Sequence, residues 1–209
     1  MTIIYFFGPD GSGKTSLATK LVDNLSEKGI KVKYSWMRGS HTLASIISRA
    51  LSKTQRFRGG DNPYYAIRIP KKLVKVWQIL ECISVIPVIL SRYILPKSLG
   101  YTIIADRYSL DFIVWVALVT KDETYIKRFI SRCAVHLAEK CDFLIFVTAD
   151  PDELVKRSGL DKKFIVDQIQ FYQIIIKDNS LKVHVIETTE SNVDESMNAI
   201  VDTIKEVWT

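Results

Sequence analysis

Residues 3–15 read IIYFFGPDGSGKT, and this stretch decides the fold. Its first five residues form a short apolar run, suited to a strand buried on both faces. Gly8 follows, then four residues, then Gly13, Lys14 and Thr15. The spacing GxxxxGK[ST], between a strand and a helix, has a physical reason. Glycines permit backbone angles that turn successive amide N–H groups inward, and the following helix adds the positive end of its dipole. The pattern implies a loop that wraps a nucleoside triphosphate, ATP with magnesium. Gly8, Asp10, Gly11, Ser12, Gly13, Lys14, Thr15 and Ser16 are its expected phosphate ligands. Lys14 would meet the outer phosphates and the Thr15 hydroxyl would ligate the metal.

Outward from this loop, apolar runs at 3–7, 31–36, 101–105, 143–148 and 182–186 read as strands. Between them, residues 13–28, 43–51, 71–95, 110–140 (room for two helices) and 192–208 carry apolar side chains at three- and four-residue spacing. Strands alternating with helices imply a parallel sheet covered on both faces. The expected fold is α/β: a three-layer P-loop NTPase fold, with a five-stranded parallel sheet flanked by helices and a small lid. One domain spanning 1–209 is expected, with the lid at about 151–163. Residues 54–63 (TQRFRGGDNP) read as a loop.

In an open parallel sheet the carboxyl ends of the strands line the ligand crevice. Asp106, after the third apolar run, is therefore placed to share the metal with Thr15, and Arg107 beside it to hold a second anion. Arg38, after the second run, is a further anion ligand, because an arginine fork grips a phosphate through two bonds. PDELVKRSGLDKK at 151–163 supplies lid cations, of which Arg157 is the first candidate for neutralising a transferring phosphoryl group. Lys14, Arg107 and Arg157 make up the expected catalytic set.

These residues resemble the thymidylate kinase family of nucleoside monophosphate kinases. The resemblance rests on GPDGSGKT, on Arg38, on the Asp106-Arg107-Tyr108 triplet and on ADPDELVKRSGLDKK. It implies transfer of a phosphoryl group from ATP to a nucleoside monophosphate, dTMP giving dTDP. It further implies that Asp10, Arg38, Arg107 and Tyr108 bind the acceptor, and that the long helix forms a homodimer seam. With Gly11 in place of a loop arginine, the chain is similar to the branch that takes its basic residues from the lid. The acceptor-base pocket departs from the family. The long helix reads CISVIPVIL over 82–90, without the family's Phe and Arg, and the family's Tyr-Gln pair falls on Trp115 and Val116. Trp115, Tyr64, Tyr65 and Trp77 are the aromatic candidates for stacking on a ring. A non-nucleotide or different nucleotide acceptor, and a nucleotide-binding switch or scaffold without turnover, stay open as alternatives.

Composition bounds these readings. In 209 residues with 47% hydrophobic and 25% charged side chains, a sizeable core is expected and disorder is not. The formal charge of +6 comes from scattered lysines and arginines, which suits a small anion better than a nucleic acid. Cys82, Cys133 and Cys141 show no metal-ligand spacing and read as reduced thiols. Residues 79–95 are strongly apolar but include Glu81, Pro87 and Arg92, so a buried helix rather than a membrane span is expected. Nothing at residues 1–7 reads as an export signal, and a cytoplasmic protein is expected.

Overall fold

The computed structural model describes residues 2–37, 39–190 and 192–208, with the side chains at 61 and 205–208 excepted. Along the chain run β1 (Ile3–Phe7), α1 (Lys14–Glu27), β2 (Val32–Trp36), α2 (Thr42–Leu51), β3 (Arg58–Asn62) and α3 (Val74–Ile89). A π-helical turn (Leu90–Ile94) then leads into α4 (Leu95–Ser98), β4 (Thr102–Asp106), α5 (Ser109–Thr120), α6 (Phe129–Glu139) and β5 (Phe143–Thr148). The last elements are α7 (Pro151–Ser158), α8 (Lys162–Asp178), β6 (His184–Glu187) and α9 (Val193–Trp208).

Five strands form one sheet in the order β2-β4-β1-β5-β6, every neighbouring pair parallel. The two-residue period of a strand sends alternate side chains to opposite faces. In β1, Tyr5 and Phe7 join the layer with α5, α6 and α8, while Ile4 and Phe6 meet Leu17, Leu21, Met197 and Ile200 of α1 and α9. This is the expected three-layer P-loop architecture. It puts the loop after β1 at the centre of the sheet's carboxyl edge, flanked by the ends of β4 and β5.

Residues 151–163, the expected lid segment, are mostly helix: Asp150 and Asp161 cap α7 and α8 by accepting bonds from backbone N–H groups of their first turns. Two other parts differ from the sequence reading. All of α8 went unread, although Ile165, Gln168, Tyr172 and Ile175 share its buried face at helical spacing. The stretch 54–63, read as loop, contains β3, which bridges back to Ile67.

The segment Lys71–Ser98 is long and apolar enough to cross a membrane by length and composition. Its inner face is nevertheless built for a protein interior. Gln78, Glu81 and Ser84 are buried there, and each is hydrogen-bonded to the rest of the chain. The outer face exposes Val76, Ile79, Ile83, Ile86, Leu90 and Ile94, which repeat every three or four residues.

Candidate active site

Gly8 and Gly11 show why the loop needs glycines. Gly8 has φ +137°, and a Cβ there would lie 2.1 Å from the Val147 carbonyl oxygen at the end of β5. Gly11 has φ +84°, and its Cβ would stand 2.8 Å from the Leu154 carbonyl oxygen of α7. The loop is thus clamped between β5 and α7 with no room for a side chain at either turn. Ser12 is buried, Thr15 and Asp10 flank the turn, and Lys14 folds back over it. The Lys14 ammonium donates to the Pro9 carbonyl at 2.5 Å and to Ser12 Oγ at 2.8 Å. Burial, then the neighbouring Arg107 cation, lower the Lys14 pKa to about 7. Ser16, the last residue of the expected phosphate set, is exposed in the first turn of α1.

Asp106 ends β4, its backbone paired with Phe6 on one side and Trp36 on the other. Its Oδ2 accepts the hydroxyl of Thr15 at 2.6 Å and that of Tyr34 at 2.7 Å. Its Oδ1 is buried and has no hydrogen-bond partner among the described residues. An orphaned, fully buried carboxylate oxygen beside a loop hydroxyl suits a hard divalent cation such as magnesium, which takes oxygen ligands. The donor set fits the expected metal.

Arg107 follows with φ +71°, a left-handed conformation that costs a side-chain-bearing residue about 1–3 kcal/mol. Its surroundings hold it there. Arg107 N donates to the Phe6 carbonyl at 2.9 Å, and the Tyr93 hydroxyl donates to the Arg107 carbonyl at 2.9 Å. One guanidinium nitrogen pairs with Asp10 Oδ1 in a very short contact, and the other reaches Asp111 Oδ1 at 3.2 Å. Burial opposes the charge on Arg107, but the Asp10 and Asp111 carboxylates more than offset it and carry its pKa above the ordinary value.

Two of these partners were not read from the sequence. Asp111 sits at the third position of α5, where its Oδ2 accepts the Tyr108 backbone N–H at 3.1 Å and the Tyr5 hydroxyl at 2.6 Å. Tyr172 of α8 donates to its other oxygen at 2.7 Å. Gln168, also of α8, donates to Asp10 Oδ2 at 3.0 Å and accepts the Asp10 backbone N–H at 2.8 Å. The signal for Asp111 was its spacing from Tyr108, as in a helix cap. For Gln168 it was a polar residue interrupting the apolar stripe of α8.

The structure therefore brings together Asp10, Lys14, Thr15, Asp106 and Arg107. Tyr108 is placed elsewhere: it is buried, and its ring packs on Tyr93 at 4.3 Å and Tyr5 at 5.7 Å in the core. Arg38 lies outside the described residues. Arg157 packs its stem against Gly11, while its guanidinium donates to Thr188 Oγ1 and to the carbonyls of Thr188 and Thr189, with Glu153 3.5 Å away. Among the ring candidates, Trp77 is buried and donates to Glu81, and Tyr65 bonds Ser45 and Ser40. Only Tyr64 and Trp115 stand at the crevice: they stack on each other, and the Tyr64 hydroxyl donates to Asp10 Oδ2 at 3.1 Å.

No protein-family model matches the sequence, and no curated protein matches it either. Solved structures do match, and they show the fold: a P-loop α/β fold like that of a thymidylate kinase. One of them is thymidylate kinase from Ehrlichia chaffeensis, 17% identical, with a TM-score of 0.62 over 98% of this chain and 98% of that one. At that identity the likeness is one of fold.

Proposed function

We propose that the chain is an ATP-dependent kinase that phosphorylates a small phosphate-bearing acceptor, with a nucleoside monophosphate, dTMP, as the first candidate. One observation carries the reading. The Thr15–Asp106 pair and the Arg107–Asp10 pair meet at the mouth of the same glycine loop, so groups suited to metal, triphosphate and a second anion share one crevice. In the mechanism proposed, an acceptor phosphate oxygen bonds to the γ-phosphorus of ATP as the bond to the bridging β–γ oxygen breaks, and ADP leaves. Such a transfer needs positioning and charge neutralisation, with no covalent link to the protein.

Lys14 leaves its carbonyl and hydroxyl partners for the outer phosphates and regains full charge there. Thr15 and Asp106 would hold magnesium, which neutralises charge on the β- and γ-phosphoryl oxygens. Arg107 exchanges part of its bonding with Asp10 and Asp111 for the acceptor phosphate, and Arg38 is assigned to the same anion. Arg157, whose stem packs on the loop, is the lid cation assigned to the transferring group. The apolar stripe on α3 is assigned to a second copy of the chain, since residues repeating at three and four suit helix-on-helix packing.

A non-nucleotide acceptor is the second reading. It is favoured by the long helix, which reads CISVIPVIL over 82–90 and so lacks the Phe and Arg that the resembled family uses for the acceptor base and phosphate. The two readings separate in one assay: ADP release measured with ATP and magnesium against a panel of nucleoside monophosphates. Release that depends on one member supports the nucleotide acceptor. Release independent of any acceptor points to a slow hydrolase or switch, and a silent panel removes the first reading.

A further inference from the structure

Tyr64 is presented by a built loop. The buried Asn62 side chain accepts the backbone N–H groups of Tyr64 at 3.0 Å and Tyr65 at 3.1 Å, and Ala66 N donates back to the Asn62 carbonyl at 2.9 Å. This turn lays the Tyr64 ring on the indole of Trp115, centroids 5.1 Å apart and planes 35° from parallel. The Tyr64 hydroxyl tethers the ring to Asp10, the carboxylate that also pairs with Arg107. Trp115 is 6% exposed, and its Nε1 has no hydrogen-bond partner among the described residues. A buried donor left unpaired costs about 1–3 kcal/mol, which a partner's oxygen would relieve. Gly39 faces the edge of the same indole, where a Cβ would touch Trp115 Cζ2 at 3.6 Å.

The space of about 20 Å³ beside Trp115 has room for a water molecule but not for a ring. A cleft of about 430 Å³ lies alongside it and shares the Leu118 wall. Gly60, Pro63, Phe164 and Phe171 line this cleft, which is of the size usual for ligand sites. Two residues of its roof, Gly60 and Pro63, belong to the loop that carries Tyr64.

We propose that Tyr64 is the gate and ring clamp of the acceptor site: its phenol holds the place of a planar acceptor ring over Trp115 and swings toward the neighbouring cleft when the acceptor enters. Trp115 Nε1, whose N–H lies in the plane of the indole, then donates to an acceptor oxygen beside the stacked ring rather than on it, which makes this pair a determinant of acceptor specificity. The inference rests on the kinase reading above, but the gate itself can be observed without any acceptor.

The test uses the full chain labelled with ¹⁵N-tryptophan, together with Tyr64→Phe, which removes only the tether, and Tyr64→Ala, which removes the clamp. Trp115→Phe identifies the Trp115 indole resonance among the four tryptophans. The expected result is slow exchange of the Trp115 indole proton with water in the parent chain, faster in Tyr64→Phe and at least about tenfold faster in Tyr64→Ala. Equal exchange rates in all three overturn the gate. Kinetics with ATP and dTMP then read its role. Tyr64→Phe lowers the dTMP KM several-fold with kcat and the ATP KM unchanged, and an unchanged or raised dTMP KM overturns the gate even if exchange quickens. Absence of turnover with every monophosphate defeats the kinase reading and leaves the exchange result to decide the gate alone.

Discussion

Thr15 donates its hydroxyl proton to Asp106 over 2.6 Å, joining the first turn of α1 to the last residue of β4. The two residues are 91 positions apart, and the parallel pairing of β1 with β4 puts them side by side. One carboxylate oxygen of Asp106 is thereby satisfied twice, by Thr15 and Tyr34, and the other stays buried without a partner among the described residues. An acid in that condition is poised for a cation rather than for another side chain.

Replacing Asp106 with Asn keeps the shape and removes the charge. The variant should need roughly 10–100-fold more magnesium for half-maximal turnover, with an unchanged circular dichroism spectrum. A magnesium titration that superimposes on that of the parent chain would place the metal elsewhere.

The lysine of the loop carries a pH signature. In the free chain Lys14 titrates at about 7, because it is buried and faces Arg107. Bound phosphate favours the charged form and raises that value. Below pH 7 the ammonium is already charged and ATP affinity is flat. Above it a proton must be taken up, and affinity falls by up to about tenfold per pH unit. Calorimetry at pH 8 in buffers of different ionisation enthalpy should report roughly one proton taken up per ATP bound. No uptake would mean that Lys14 stays charged in the free chain.

Arg107 pairs with two buried carboxylates and is the residue proposed to hold the acceptor phosphate, and two substitutions divide the roles. Arg107→Ala leaves Asp10 and Asp111 buried without their counter-charge and should cost about 3–5 kcal/mol in denaturant unfolding. Arg107→Lys keeps a cation but not the fork. It should stay folded, lose acceptor affinity about tenfold or more, and leave ATP affinity within about twofold. Loss of both affinities in equal measure would remove Arg107 from the acceptor site.

Glu81 offers a test remote from the loop. Burial, opposed by hydrogen bonds from Ser40 and Trp77, raises its pKa from 4.5 to about 7. The folded chain therefore holds a proton that the unfolded chain has lost, so the contribution of Glu81 is full below about pH 4.5 and is gone once the pH has risen through 7. His41 runs the other way: burial, then Arg92, lower it to about 4, and its share is lost as the pH falls from 6.5 toward 4. Comparison of Glu81→Gln with the parent chain cancels the histidine. Between pH 5 and pH 8 the variant should gain about 2–3 kcal/mol relative to the parent. A constant difference would show that Glu81 is ionised throughout.

What could be read from the chain alone was whatever is local. The apolar runs at β1 and β5 carry their own boundaries, and the glycine spacing fixes the loop between strand and helix wherever the chain goes next. At β6 the first two residues expected in the strand, Lys182 and Val183, fall outside it, since little apolar pattern marks an edge. The long helix α8 escaped because its first two residues, Lys162 and Lys163, belong to the basic stretch expected as the lid and its buried face is interrupted by Gln168, although Asp161 is an ordinary cap.

The polar core of the site was less legible, for a physical reason. Gln168 meets Asp10 across 158 residues, and Tyr5 meets Asp111 across 106. In sequence Tyr5 is one more apolar position in a strand, and its hydroxyl acquires meaning only when the sheet lays it beneath α5. Arg157 shows the converse. Its position pointed to the phosphates, while the fold offers it the carbonyls of Thr188 and Thr189, which the sequence does not place near α7.

The most direct measurement follows the γ-phosphoryl group itself. ATP labelled at the γ-position is incubated with magnesium, the protein and each nucleoside monophosphate in turn, and the products are separated. The label should appear in one nucleoside diphosphate, with an equal amount of ADP, and not when Lys14 is replaced by alanine. Label recovered only as inorganic phosphate, or left wholly in ATP across the panel, would contradict the proposed transfer.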